Sequence, residues 1–572
     1  MVIIMERKTK LAIFGTSAVI ILIFIVTGVM IVKKLTPSKE IMPITEYYSM
    51  EDSEVMILLQ DEIYANKGML IDGVVYIDYD IVVSDFNHRF YWDKNENILT
   101  YTTPEEILQA EVGIQGYSVM KSMIATDVDS DYSVVEVFAD QVYIALDFVQ
   151  QYSDMTYEFY ENPNRIVVNY RYGDYLYSDV SKATQLRTGA DIKSPILMQL
   201  ATGTTLLYVD KEEAPVNGFV KVMTEDGIIG YVKEKHVSKS YYETLTSVYQ
   251  EPVYTAQTRS GKINLVFHQV FNEEAAGKLD NLIKATKEVT VVSPTFFSVS
   301  DESGEISSLA TTKYVEVAKG LGLEVWALVD DFDTEISMLE LLSHTSSREN
   351  LSNALVEAAI EYKLNGINID FEKISVDAGE HYIQFLRELS VKCRNNGIVL
   401  SVDSYVPTAY TEQYDREEQG KIVDYVVVMA YDEFYAGSEV AGPVASLTFV
   451  SDAVNNILEL VPKEKTIIAI PFYTRLWKET AEGEVSSESL SMTPAAGVIT
   501  DNGLEAVWDD AAGCYYVEYK KDGATYRMWQ EEDKSIEEKM KLIYEADVAG
   551  VAAWKLGLEK ESIWNVIVRY LH

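Results

Sequence analysis

Asn365-Gly366-Ile367-Asn368-Ile369-Asp370-Phe371-Glu372 alternates polar and apolar residues through a run that is otherwise strand-like. Neighbouring side chains on a strand point to opposite faces, so Asn368, Asp370 and Glu372 share one face and Ile367, Ile369 and Phe371 the other. The apolar face is expected to pack on helices and the polar face to point into a barrel. After about residue 260, buried β runs alternate with amphipathic helical stretches, the pattern of βα units and a parallel sheet. Eight strands are predicted: Ile263 to Phe267, Val289 to Ser293, Glu324 to Leu328, Gly366 to Phe371, Val399 to Asp403, Tyr425 to Ala430, Thr466 to Ile470 and Gly550 to Trp554. Helices are predicted at Glu349 to Tyr362, Ser535 to Glu545 and Ser562 to Leu571. Eight such units make a (β/α)8 TIM barrel, whose active site lies at the carboxyl ends of the strands. Strand four ends in two carboxylates spaced two apart, costly to bury unless they act on something.

These residues resemble the glycoside hydrolase family 18, which includes chitinases and bacterial N-acetylglucosaminidases. The family signature on strand four, Asp-Gly-x-Asp-x-Asp-x-Glu, is matched at Gly366, Asp370 and Glu372. Met429-Ala430-Tyr431-Asp432 ends strand six as the family's Met-x-Tyr-Asp does, and Trp554 ends strand eight, where the family places an indole beneath the reactive sugar. The resemblance covers residues 258–572. A segment at about 472–532, between strands seven and eight, holds hairpin-like runs at Cys514 to Tyr519 and Thr525 to Trp529. It looks like the α+β subdomain inserted in many family members.

The resemblance implies that Glu372 donates a proton to the glycosidic oxygen. It also implies that the substrate's own 2-acetamido oxygen replaces the usual carboxylate nucleophile, restricting substrates to N-acetylated amino sugars. Asp370 is then expected to hold the acetamide N–H and Tyr431 to steady the acetamide group. Asn368, Met429, Asp432 and Trp554 are expected to line the same subsite, and Tyr473 and Arg475 are further candidates for substrate contact. The chain departs from the signature at its first and second aspartates, which are Asn365 and Asn368 here. Replacing one acid of the middle pair by an amide removes like-charge repulsion from Asp370, so an active enzyme with an altered pH profile is expected.

The rest of the chain supplies context. Residues 11–32 contain no charge and are long enough to span a hydrocarbon core of about 30 Å. The apolar stretch exceeds that of a cleavable signal and lacks a small-x-small site, so it reads as a permanent anchor; the flanking positive charges tie at three each, and only the expected action on wall glycan makes residues 1–10 a cytoplasmic tail. Residues 45–175 contain two similar stretches, Val75 to Asp93 and Val142 to Glu161, read as a duplicated small α+β module. It resembles the stalk-like domain at the amino terminus of copper amine oxidases. Residues 180–242 hold short strand patterns split by Gly turns and resemble a bacterial SH3-like barrel, a family whose members commonly bind wall material.

Lys and Arg total 48 against 90 Asp and Glu, a net charge of −42 that argues against nucleic acid as a partner. Six scattered His and two distant Cys lack metal-ligand spacing, so neither metal nor cofactor is expected. Recognition of a glycan is expected to rest on aromatic faces and hydrogen bonds, with 39 Tyr to draw on. The expectation is a membrane-anchored glycosidase, its catalytic domain facing the wall, acting on an N-acetylglucosamine-containing polysaccharide with peptidoglycan favoured. The alternatives are a chitinase and a non-hydrolytic glycan-binding protein.

Overall fold

The computed structural model describes residues 2–51, 53–209 and 214–572. They divide into two units, Met1–His88 with Tyr132–Glu251, and Arg89–Asp131 with Pro252–His572.

The first unit begins with a helix, Val2–Leu35, whose Ile13–Leu35 stretch has a mean hydropathy of 2.6 and is long and apolar enough to cross a membrane. The opening strands of the two similar stretches then meet in one sheet. Val74–Asp78 runs into a short helix at Tyr79–Ile81, and Gln141–Ala145 into a helix at Leu146–Tyr152. These two strands pair antiparallel, with Ile77 opposite Ile144. Seven antiparallel strands from Gly173–Asp179 to Tyr241–Leu245 form a second sheet over a core that includes Leu186, Leu206, Val222 and Val232.

The second unit is built on eight parallel strands that close on themselves: β1 (Ile263–His268), β2 (Val291–Val299), β3 (Glu324–Asp330), β4 (Gly366–Asp370), β5 (Val399–Tyr405), β6 (Tyr425–Met429), β7 (Thr466–Pro471) and β8 (Gly550–Trp554). Closure is made by β1 pairing with both β2 and β8. Ile367 and Ile369 of β4, with Phe371 just beyond it, join the helix-packed outer core. The barrel interior is filled by a separate cluster that includes Phe267, Trp326, Leu328, Tyr425 and Val427. Gly366 is required at the base of β4, because a Cβ there would come within 2.8 Å of the Trp326 ring. Between β7 and β8 the chain makes a five-stranded antiparallel sheet, from Tyr473–Glu479 to Ala524–Gln530, with a helix at Met492–Asp501.

One boundary differs from the sequence expectation. Within the stretch 45–175, the strands from Phe90–Asp93 to Ala125–Ser133 form an antiparallel sheet of their own, and Arg89–Asp131 group with the barrel. The reason is visible at the helix Thr345–Tyr362, whose N-cap residue His344 offers no side-chain bond to the free backbone N–H groups. Asp93 supplies it instead: its Oδ2 accepts from Thr345 N at 2.6 Å and Thr345 Oγ1 at 2.7 Å. Glu96 Oε2 accepts from Ser346 N at 2.8 Å, so two acids sit where the helix dipole favours negative charge.

A buried ion cluster adds to this docking. Glu418 accepts from Arg89 Nε at 3.0 Å and from Arg387 Nε at 2.8 Å, with all three side chains less than a tenth exposed. Glu418→Ala removes the carboxylate from between two buried guanidinium groups and is expected to cost about 3–5 kcal/mol. The urea midpoint of the barrel unit measures this; a change under ~1 kcal/mol contradicts the assigned role.

Candidate active site

Side chains from the carboxyl ends of the barrel strands converge on a cavity of about 440 Å³. Asp370, Glu372, Asp403, Tyr405, Tyr431 and Trp554 all line it. Glu372 is the second residue past Asp370, where β4 ends, and its position is clamped by the loop after β3. Asp331, just beyond β3, accepts from Glu372 N and from Lys373 N, both at 2.9 Å. Tyr405 OH donates to Glu372 Oε2 at 2.5 Å, which leaves Oε1 to carry a proton. Burial pushes the Glu372 carboxyl up from its ordinary value; Tyr405 opposes this, and the Asp331 and Asp432 charges reinforce it. A carboxyl so placed keeps its proton to higher pH than a free glutamate, as a general acid requires.

Asp370 is only 4% exposed and points into the same space. Burial holds its carboxyl well above the ordinary range, and the neighbouring carboxyls of Asp403, Glu372, Asp331 and Asp330 push in the same direction. Asn368 does not line the cavity. It lies fully buried below, its Oδ1 accepting from Ser401 Oγ and its Nδ2 donating to Asp403 Oδ2, each at 2.6 Å.

The β6 end brings Met429, Tyr431 and Asp432 to the cavity. Asp432 sits in the left-handed backbone region at φ 56°, which turns the chain after Tyr431. Tyr473 OH donates to Asp432 Oδ1 at 2.5 Å and Arg475 Nη2 donates to the same oxygen at 3.4 Å. Tyr473 and Arg475 therefore stand behind Asp432 on the inserted sheet, reaching the cavity through it. Trp554 ends β8 with its ring centroid 5.4 Å from that of Phe267. Phe271, largely exposed, and Phe332, about half exposed, add aromatic surface at the cavity edge.

Sequence reasoning missed Asp403, Tyr405, Asp330 and Asp331. A signal existed for two of them: Ser401, Asp403 and Tyr405 alternate along β5 just as Asn368 and Asp370 do along β4, so they share its inward face. The contacts that Asp331 makes depend on the loop after β3, and no local pattern announces them.

The glycosyl hydrolases family 18 matches residues 254–559 of the chain. The chain is 26% identical over 283 residues to the uncharacterized glycosylase YvbX of Bacillus subtilis, covering 47% of this chain and 80% of that protein. It is 28% identical over 247 residues to the cortical fragment-lytic enzyme of Bacillus subtilis, covering 41% of this chain and 56% of the relative. The chain thus spans a little over half the length of that enzyme. The fold is similar to the crystal structure of the Bacillus cereus spore cortex-lytic enzyme SleL, with a TM-score of 0.50 at 18% identity over 66% of this chain and 90% of that one.

Proposed function

The chain belongs to the glycosyl hydrolases family 18 and is a glycosidase, and from that premise we propose that it cleaves β-1,4 bonds after N-acetylglucosamine in peptidoglycan. The observation that carries the reading is the pair Asp370 and Glu372, two residues apart at the end of β4 and lining one cavity with Tyr431 and Trp554. Glu372 protonates the leaving oxygen, and the substrate's acetamide oxygen attacks the anomeric carbon from the other side, giving retention after water opens the oxazolinium. Asp370 accepts the acetamide N–H and stabilises the positive charge that develops beside it. Tyr431 steadies the acetamide, Trp554 offers its face to the sugar's C–H surface, and Met429 and Asp432 complete the subsite. Asn368, Tyr473 and Arg475 act from behind these groups.

Two features favour a wall glycan over free chitin. A relative is named as a cortical fragment-lytic enzyme, and the helix Ile13–Leu35 is suited to hold the enzyme at a membrane. In this reading the helix is an anchor, the amino terminus is cytoplasmic, and the 180–242 segment is an SH3-like module in contact with the wall. The net charge of −42 repels anionic polymers, so the glycan is held through neutral sugar faces and rings.

Purified peptidoglycan and chitin oligomers, digested side by side, test the substrate. Peptidoglycan is expected to yield muropeptides with N-acetylglucosamine at the new reducing end, at a rate above that on chitin. Faster cleavage of chitin replaces the substrate with chitin, and turnover of neither glycan sinks the proposed activity.

A further inference from the structure

The signature's second acid is missing from β4, yet a carboxyl stands beside Asp370 from another strand. The β4–β5 register pairs Asn368 with Ser401 and Ile369 with Val402, which brings Asp370 and Asp403 side by side on the inward face. Both are almost wholly buried, at 4% and 2% exposure. Among the described residues, Asp370 Oδ1 and Asp403 Oδ1 are buried without a hydrogen-bond partner. Asp403 Oδ2 is already occupied by Asn368 Nδ2 at 2.6 Å. The Ser401 hydroxyl, donating to Asn368 Oδ1, fixes which way that amide faces.

The surroundings offer these two acids little positive charge. Asp330 and Asp331 face them from the end of β3, Glu372 from β4, Tyr405 from β5, and Tyr431 and Asp432 from the end of β6. Lys373 lies near Glu372 and Asp331, and Arg475 is turned to Asp432. Two adjacent carboxylates in such a place cannot both ionise, whereas one shared proton satisfies both orphaned oxygens at once.

We infer that Asp370 and Asp403 form an acid–carboxylate pair sharing one proton, and that Asp403 is a positioning residue doing from β5 the work of the acid that Asn368 replaces. The inference rests on the proposed role of Asp370 at the acetamide. When the acetamide N–H arrives, Asp370 must meet it as a carboxylate. The proton then moves from Asp370 to Asp403 Oδ1, and it returns when product leaves. One proton and one negative charge remain in the pair throughout, so no outside base is needed. Asn368 holds Asp403 Oδ2 in place during the transfer.

Two measurements test this. Infrared difference spectra at neutral pH, wild type minus Asp403→Asn and wild type minus Asp370→Asn, should each show loss of a protonated-carboxyl band, because either substitution leaves the other acid ionised. Asp330→Asn should leave that band in place. In kinetics, Asp403→Ala, which leaves the Asp370 carboxylate with no donor beside it, is expected to lower kcat by about tenfold to a hundredfold, with KM within about twofold. The double variant N368D/D403N, which moves the acid back to β4, should turn over within about threefold of wild type, unlike Asp403→Ala.

Persistence of the protonated band in either spectrum overturns the pair, as does failure of the double variant to reach that turnover. The wild type minus Asp370→Asn spectrum reads the same proton without touching Asp403, so misfolding of Asp403 variants does not remove the test. If wild type turns over no glycan, the proposed function falls while the spectra still report on the pair. If Asp403→Ala turns over normally and the band stays, the pair falls and the function stands.

Discussion

Glu372→Gln is expected to lower turnover of a wall glycan by about 10²- to 10⁴-fold, the range in which a positioned proton donor contributes. The substitution changes almost nothing else. Glutamine is isosteric, its side-chain oxygen can still accept from Tyr405 OH, and the backbone N–H at position 372 still donates to Asp331 at 2.9 Å. KM should therefore stay within about twofold, since the lost interaction is made only as the glycosidic oxygen takes on charge. An aryl glycoside whose phenol leaves without protonation should suffer much less than a sugar–sugar bond. The pH profile supplies a second readout. The Glu372 carboxyl is raised by burial, so wild-type activity is present at low pH and lost as pH rises through that raised pKa. The alkaline limb should be absent in the variant. Equal product from wild type and variant, both near background, removes the catalytic role of Glu372.

The barrel was legible in the sequence because its parallel strands are covered on both sides. Strands of that kind read as near-continuous apolar runs, and all eight emerged at the expected places. Their ends shifted where loops decide them: β2 begins at Val291 and continues to Val299, and β5 continues to Tyr405. The sheet that starts at Phe90 was illegible as part of the barrel unit. Its alternating pattern is that of any half-buried strand, and what assigns it is Arg89, Asp93 and Glu96 meeting Glu418 and the Thr345–Tyr362 helix, hundreds of residues away. The site divides the same way. Asp370 and Glu372 belong to one recognisable segment, whereas Asp403 and Tyr405 acquire meaning only when β5 is laid beside β4. The alternation along β4 alone placed Asn368 in the substrate subsite; the pairing of strands shows the amide holding another acid instead.

That arrangement sets the expected behaviour of Asp370→Asn, the second large effect. Asp370 lines the cavity two residues before the proton donor, and in the proposed mechanism its carboxylate accepts the acetamide N–H and faces the oxazolinium charge. An amide of the same shape keeps the packing but removes the negative charge from the place where positive charge develops. Loss of one such electrostatic partner costs about 10²- to 10³-fold in kcat. The field at Glu372 should change far less than a simple charge deletion suggests. In wild type one negative charge is spread over Asp370 and Asp403, and in the variant Asp403 carries it alone, still paired with Asn368 Nδ2 at 2.6 Å. The alkaline limb of the pH profile, set by Glu372, is therefore expected to stay near its wild-type position while the plateau drops. This separates Asp370→Asn from Glu372→Gln, which removes the limb itself. The loss should also depend on the substrate's acetamide: any residual cleavage of an aryl glucoside, which has no 2-acetamido group to orient, should be the same in wild type and variant. Retention of more than about a third of wild-type turnover on the N-acetylated substrate, or an equal loss on the glucoside, contradicts acetamide positioning by Asp370.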